Sequence, residues 1–499
     1  SNLIVENLID ENGKYGIYIE NDLSKSANNT IKDNTITNNK NHGVLVEGIF
    51  TKLTNNTITD NEVDGVNIHS DGLKTTIEKC IIKDNLENAI HVRARYTTIS
   101  SNEGDDEDDP VIDGVDTTIA VLVDGASNLV FTNNHVEGGS LGLKITNSPN
   151  SQVSNNKIEK NGGHGIHVAG NSTSANIIKN EVIDNEDHAI YIHTSNSANV
   201  ENNTLKDNDG YAIFTVNSDF VQVKANSSNG ETLNSLTDIK DNDGGIKFTN
   251  CNYCNVTSVD IIDNSNKGIW LTSGSGNATF QNVSLSDNDG KDLYFEGAKS
   301  NKATNITFAT ISADTGSVFT LYSSLVLVFQ NESGSGFEGI HLTLTNDCAA
   351  NIAPNCSDSK TEYQTDFYGG SDPSTNATGE LSKTFILNYK IYNGSTTATD
   401  IVTILNYHYG VRAKEKSIDM STSHTETVSV SSDWRKGLIY NVDTEDCDVG
   451  DEDCTYATIQ SAVDDASSGD TLHIWAWLYS ENVEVDESIT IIGNGTGNT

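Results

Sequence analysis

Over the first 317 positions, apolar residues recur in short alternating runs rather than at helical spacing. The string Asn34-Thr-Ile-Thr-Asn-Asn-Lys-Asn-His-Gly-Val-Leu-Val46 returns as Asn56-Thr-Ile-Thr-Asp-Asn-Glu-Val-Asp-Gly-Val-Asn-Ile68. A degenerate copy reads Cys80-Ile-Ile-Lys-Asp-Asn-Leu-Glu-Asn-Ala-Ile-His-Val92. The shared template is an apolar anchor, Asn three positions later, Gly or Ala four after that, then apolar-x-apolar. Its Asn falls at 12, 39, 61, 85, 161, 185, 208, 242, 264 and 288, mostly 22 to 27 residues apart. The longer gap from 85 to 161 holds a degenerate copy (Val136, Gly139) and an inserted acidic coil. Roughly twelve copies fit before residue 317.

Alternation with period two predicts short strands. A repeat of this length without helical pattern predicts one coil of a parallel β-helix per copy. Ile17 and Ile19, Val66 and Ile68, Ile90 and Val92, Ile166 and Val168, and Ile190 and Ile192 are expected to point inward. The repeated Asn suits a tight bend, because Asn tolerates the left-handed region. Stacked every ~4.8 Å, such residues can form an amide ladder. A second ladder is expected two residues before the anchor, at Asn7, Asn34, Asn56, Asn134, Asn156, Asn180 and Asn203. Cys80 occupies that slot, which makes it a buried ladder member and not a nucleophile. One outward column reads Tyr18, Leu45, Asn67, His91, Lys144, His167, Tyr191, Phe214, Lys247, Trp270 and Tyr294. Aromatic residues in such a row mark a lateral contact, a sugar platform or a face covered by loops.

These coils resemble the right-handed parallel β-helix repeats of pectin-lyase-like proteins. The resemblance covers residues 1–317 and implies an all-β fold. It does not select a function, since the family includes lyases, hydrolases, epimerases, adhesins and structural surface proteins.

Residues 318–439 lose the repeat. Runs such as Leu325–Phe329, Ile340–Leu344, Thr384–Asn388, Ile401–Leu405 and Thr427–Val430 predict an antiparallel β-sandwich of about seven strands. This segment loosely resembles carboxypeptidase-regulatory, prealbumin-like or Ig-like modules. In residues 440–499, Tyr456–Ala466 predicts a short amphipathic helix, followed by strand-like Leu472–Trp475 and Ile489–Gly493. This tail resembles the N-terminal cap of archaeal and bacterial surface β-helix proteins, with Trp477 standing where that family has Gly. A cap covers the open strand edges of a solenoid. Residue 1 begins on a coil, so the tail is expected to cap the next copy head to tail. Tyr456, Ile459, Val463, Ile474, Trp475, Ile489 and Ile491 would then meet Leu3, Ile4, Ile9, Ile17 and Ile19. A covalent array of repeated units, or an arbitrary boundary, explains the same arrangement. Met420 is the only methionine and the chain opens Ser-Asn-Leu, so a processed product or part of a longer chain is expected.

Charge narrows the picture. With 30 Lys and Arg against 71 Asp and Glu, the net charge is −41. Such a chain lacks the basic footprint a nucleic acid requires. No apolar run reaches the ~18–20 residues of a membrane span. The pairs Cys348/Cys356 and Cys447/Cys454 are expected disulfides of an extracellular, cell-surface protein. Cys251 and Cys254 can bridge, act as a redox pair or sit in a turn. Asp105, Asp106, Asp108 and Asp109, and Asp446, Asp448 and Asp451, are candidate Ca²⁺ ligands, with a solvated acidic surface as the simpler account. His91, Arg93 and Arg95 alternate just before the acidic insertion and are the weak candidates for polysaccharide chemistry. Sequons at Asn28, Asn55, Asn171, Asn202, Asn255, Asn277, Asn282, Asn305, Asn376 and Asn393 are candidate glycosylation sites. The reading that follows is an extracellular structural protein assembling into a filament, sheath or layer. The alternative is a calcium-dependent polysaccharide lyase or a glycan-binding adhesin.

Overall fold

The computed structural model describes residues 2–21, 28–102, 112–114, 118–225, 238–348, 360–364, 372–381, 384–394, 398–409, 412–431, 439–441, 456, 458–474 and 481–493. The chain divides into two compact units, Ser1–Phe319 with Tyr392–Thr397, and Thr320–Ile391 with Ala398–Thr499.

The first unit is the expected solenoid. Each coil contributes two short strands separated by a two-residue bend, then a third strand. In one coil these are Thr30–Lys32, Thr35–Thr37 and Val44–Val46. Each strand pairs in parallel with its equivalent one coil on, as Thr30, Ile31 and Lys32 do with Lys52, Leu53 and Thr54. The third strands form one sheet of 13, from Ile17–Ile19 to Ile311–Ala313. Alternation sends Val66, Ile68, Ile90, Val92, Ile166, Val168, Ile190 and Ile192 into a fully buried core, with Ile17 and Ile19 nearly so. Both expected Asn ladders are present. In one, Asn39, Asn61 and Asn85 pass the side-chain amide to the next Oδ1, each over 2.8 Å. The run resumes through Asn161, Asn185, Asn208, Asn242, Asn264 and Asn288. In the other, Cys80 replaces an Asn. Its backbone N–H donates to Asn102 Oδ1 at 2.9 Å, and Asn102 continues the run to Asn134. Burial pushes the Cys80 thiol up to about 11, which fits a structural residue.

The bends differ from expectation in one respect. The left-handed residue is the one before each ladder Asn, such as Asp60 (φ 56°) before Asn61 and Asp184 (φ 52°) before Asn185. The ladder Asn therefore supplies buried hydrogen bonds and not the bend conformation. The template Gly also has a specific cause. A Cβ on Gly65 would lie 2.7 Å from the Ala89 carbonyl oxygen and 2.7 Å from Asn85 Nδ2 of the next coil.

In the second unit, His341–Cys348, Lys360–Gln364, Ala398–Tyr409 and Arg412–Ile418 form an antiparallel sheet. Leu325–Gln330 pairs in parallel with His424–Ser429, where the alternation predicted antiparallel neighbours throughout. Leu325, Leu327, Phe329, Leu342, Leu344 and Phe385 lie in its core. The tail forms its own small core. Ile439–Asn441 pairs antiparallel with Thr471–Ile474, which pairs in parallel with Thr490–Gly493. The helix Ile459–Asp465 is capped by Thr458, and Glu481 accepts from the N–H groups of Ile459 and Gln460 at 2.9 and 3.0 Å.

Replacing Asn185 by Ala leaves the buried Asn161 backbone N–H without its acceptor, and takes one of two partners from the Asn161 amide and from Asn208 Oδ1, which keep the Glu159 carbonyl and the residue-185 N–H. We expect a loss of about 1–3 kcal/mol for each buried group left unsatisfied. Urea unfolding checks this against the exposed Thr35→Ala, whose cost should stay under about 0.5 kcal/mol.

Candidate functional site

The outward column predicted from the repeat is present in register. Asn67 sits beside His91, His91 beside Leu122, and Leu122 beside Lys144. His167, Tyr191, Phe214, Lys247, Trp270 and Tyr294 follow. Leu122 is the member the template omitted, because the insertion breaks the spacing there. A second column, set by the residue before each template Gly or Ala, runs beside the first. It contains Tyr15, His42, Asp64, Asn88, His164, His188, Tyr211 and Lys267. The repeat alignment already carried that column, yet only its neighbour drew notice.

Near one end the two columns build a buried carboxylate centre. Asp64 is 1% exposed. It accepts from Asn67 Nδ2 at 2.6 Å, and from the N–H and Nδ2 of Asn88 at 3.1 and 2.7 Å. The His42 and His91 Nδ1 atoms lie 3.3 and 3.7 Å from its Oδ2. Burial alone would raise the Asp64 carboxyl, but contact with His91, Asn88, Asn67 and His42 outweighs it and holds the group below its usual range. Burial lowers His42 against the pull of Asp64. Arg93 donates from Nη2 to Asn67 Oδ1 at 2.7 Å. The His91 Nε2 and Arg93 Nε atoms are buried without a hydrogen-bond partner. Asp64 is thus saturated by the amide donors of Asn67 and Asn88, with the His91 imidazole beside it at 3.7 Å. Of the predicted trio, the structure joins His91 and Arg93 to this centre. Arg95 lies exposed in the following turn.

The far half of the face is a continuous strip of rings and cations. His164 and His188 stack with centroids 5.1 Å apart, and Tyr191 lies 4.7 Å from His164 and 4.8 Å from His167. Phe214 meets His188 edge-on at 4.9 Å. The Lys247 ammonium lies 3.8 Å from the Trp270 ring centroid and 4.8 Å from that of Phe214. Lys267 lies 4.2 Å from Trp270 and 5.0 Å from Tyr294. Among the described residues, neither lysine has a carboxylate within ion-pair distance. Burial lowers the Lys247 ammonium, and Lys267 beside it adds to the effect. Burial likewise lowers His167 and His188 to about 4.

The acidic candidates Asp105, Asp106, Asp108, Asp109, Asp446, Asp448 and Asp451, and Cys356, Cys447, Cys454 and Trp475, lie outside the described residues. The side chain of Cys348 does too. Cys251 and Cys254 are bridged to each other. His135, Glu137 and Glu159 place three possible metal-ligand atoms within 4.8 Å of one another. Lys157 already pairs with Glu159 at 2.7 Å, and Lys160 lies 3.6 Å from both carboxylates. Asn55, Asn171, Asn202, Asn277, Asn282 and Asn305, like Asn28, occupy left-handed bend positions, a structural reason for Asn independent of glycosylation. Of the proposed assembly residues, Val463 is buried in the tail's own core, and Tyr456, Ile459, Ile474 and Ile489 pack on it. Ile491 is exposed. Ile17 and Ile19 are buried within the solenoid, Ile4 and Ile9 are half-buried, and Leu3 is exposed.

The depressed histidines set a pH dependence. Unfolding lets His167 and His188 take up protons at their ordinary value near 6.5, whereas the folded state resists until about 4. Stability contributed by their neutral forms is therefore lost as pH falls from about 6.5 toward 4. In denaturant titrations across that window, the double variant His167→Gln, His188→Gln should show a shallower fall than the parent chain.

Residues 1–106 and 111–240 match the family described as right handed beta helix region. No curated protein sequence matches the chain. Among solved structures it is similar to the A-module of the Azotobacter vinelandii mannuronan C-5 epimerase AlgE6, at 14% identity over 64% of this chain and 90% of that one, with a TM-score of 0.40. It is similar to the Dettilon tailspike protein gp208, at 12% identity over 81% of this chain and 71% of that one, with a TM-score of 0.41. A tailspike protein mutant of the E. coli bacteriophage HK620, in complex with a pentasaccharide, shares 12% identity over 81% of this chain and 80% of that one, with a TM-score of 0.34. The matched residues, together with the parallel coils they form, make the first unit a right-handed parallel β-helix.

Proposed function

We propose that the solenoid binds an acidic polysaccharide along the outward face of its 13-stranded sheet. The observation that carries this reading is the pair Lys247 and Lys267, set among Phe214, Trp270 and Tyr294 with no carboxylate within ion-pair distance among the described residues. In a chain of net charge −41, two cations on an aromatic face, with no described carboxylate in ion-pair contact, form a local exception. Aromatic faces take the C–H face of a pyranose, and the ammonium groups take its carboxylate or sulfate. Successive strands lie about 4.8 Å apart, close to the length of one sugar residue, so a chain of sugars can track from coil to coil. The Cys251–Cys254 bridge supports an oxidising, extracellular setting. The described residues contain no helix long and apolar enough to cross a membrane.

Titration of the protein with oligogalacturonate tests this reading. Trp270→Ala and Lys247→Ala should each weaken binding at least tenfold with the circular dichroism of the fold unchanged. The effect of Lys247→Ala should shrink as salt rises. Equal affinity in parent and variants would refute the proposal.

A second reading, head-to-tail assembly of copies into a surface filament, draws on different residues. Leu3 and Leu8 are 66% and 70% exposed on the first coil, and Val485, Ile491 and Ile492 are exposed in the tail. Both sets flank strands with open backbone edges, which parallel pairing can extend. Electron microscopy of the purified chain should then show fibres that disappear when residues 440–499 are deleted. Fibres that persist after the deletion would end the tail's role.

A further inference from the structure

A different part of the coil carries its own pattern. The turn after each strand of the 13-stranded sheet places one residue in the left-handed region. Along the later coils that residue is Ser174, Ser197, Phe220, Tyr253, Asn277 and Ser300, with φ between 54° and 60°. Small polar residues suit this conformation, whereas bulky aromatic ones take it only at a cost. Phe220 and Tyr253 nevertheless hold it, each 50% exposed. Their rings stack with centroids 5.3 Å apart and planes 6° from parallel. The stack then stops. Asn277 and Ser300, the next two members, are too short to continue it. They border a cavity of about 300 Å³ lined by Tyr253, Asn255, Asn277, Thr279, Ser300 and Lys302.

The walls of this gap have a consistent chemistry. Tyr253 offers it the ring that ends the aromatic stack. Asn255, Thr279 and Lys302 stand side by side on three successive strands. Thr279 donates its hydroxyl to Asn255 Oδ1, and Asn255 donates from Nδ2 to Gln222 Oε1 at 3.2 Å, so the amide is held in one orientation. Lys302 is exposed, and among the described residues no carboxylate lies within ion-pair distance of it. The gap thus combines an aromatic platform, a fixed amide–hydroxyl pair and a free cation.

We infer that this gap is a second saccharide subsite, taking one pyranose ring that bears a carboxylate. The sugar continues the interrupted stack on Tyr253, its hydroxyls meet Asn255, Asn277 and Thr279, and its carboxylate meets Lys302. The choice of a uronate rests on the acidic-polysaccharide reading of the sheet face, while the gap itself does not. Phe50 and Tyr96 hold the same turn position in earlier coils, so what marks this place is the Phe220–Tyr253 stack together with the gap that ends it.

The test uses the full chain, made in a host that does not attach glycans to Asn255 or Asn277, with trigalacturonate as the probe and maltotriose as its neutral control. Binding is measured in the parent and in the Trp270→Ala, Lys247→Ala background, so that the two surfaces are read apart. Tyr253→Asn suits the left-handed turn and should fold at least as stably as the parent. In the background variant, Tyr253→Asn and Lys302→Gln should each lower residual trigalacturonate binding at least fivefold. Ser300→Trp, which fills the gap, should abolish it. If the background variant binds as tightly as the parent while Tyr253→Asn weakens binding, the sheet-face reading fails and the subsite stands. If Tyr253→Asn, Lys302→Gln and Ser300→Trp all leave trigalacturonate binding within twofold of the background variant, the subsite is overturned. Equal loss of maltotriose and trigalacturonate binding in Lys302→Gln would overturn the assignment of a carboxylate-bearing sugar.

Discussion

The solenoid depends on buried asparagine. Each coil turns sharply twice within a few residues, and each bend leaves backbone groups that water cannot reach. The ladder Asn satisfies them. Asn185 donates to the Ile183 carbonyl of its own coil and to Asn208 of the next, while accepting from the N–H and amide of Asn161. A buried amide of this kind is costly unless all of its groups are met, and stacking identical bends meets them with identical partners. The apolar core supplies the driving force for collapse, but it does not specify register. A coil displaced by one residue would both turn its Ile and Val outward and break the amide chain. The two ladders therefore fix which residues share a column, and with that every feature of the outward faces.

Fixed register is what allows function to be written as columns. Because equivalent residues lie about 4.8 Å apart along the stack, a change at one template position places a side chain next to its counterparts one coil away. His42, Asp64 and Asn88 are three coils' versions of a single position, as are His164, His188 and Tyr211. The first group gathers on a buried carboxylate and the second forms a ring stack. The turn column shows the same economy, with Phe220 and Tyr253 stacked at a position that holds Asn or Ser in neighbouring coils and Phe50, Lys74 and Tyr96 in earlier ones.

The negative charge has a bearing on this. Acidic residues are spread over the outward positions, so lysines with no ion-pair partner among the described residues are informative where they would be unremarkable in a basic protein. Lys247, Lys267 and Lys302 stand in such places. Screening by salt over about 8–10 Å limits repulsion between distant carboxylates.

The sequence by itself determined the repeat, the parallel coils, the inward residues, both amide ladders, the role of Cys80 and the main outward column. These follow from periodicity, and a one-dimensional stack converts period directly into position. It also placed the end of the repeat near residue 317 and the short helix of the tail, because both patterns are local. Three things were decided only by the tertiary structure. The left-handed bend residue proved to be the one before the ladder Asn, because hydrogen-bond demand, not backbone tolerance, places the Asn. Asp64 joined His91 and Arg93, and Arg95 did not, because strand pairing brings residues 27 positions apart into contact while the chain turns away after Ala94. The gap beside Tyr253 came from side-chain length in consecutive turns, which no periodicity of apolar residues records. Pattern fixes where a column runs; the volumes and partners of its members decide whether it is filled, paired or open.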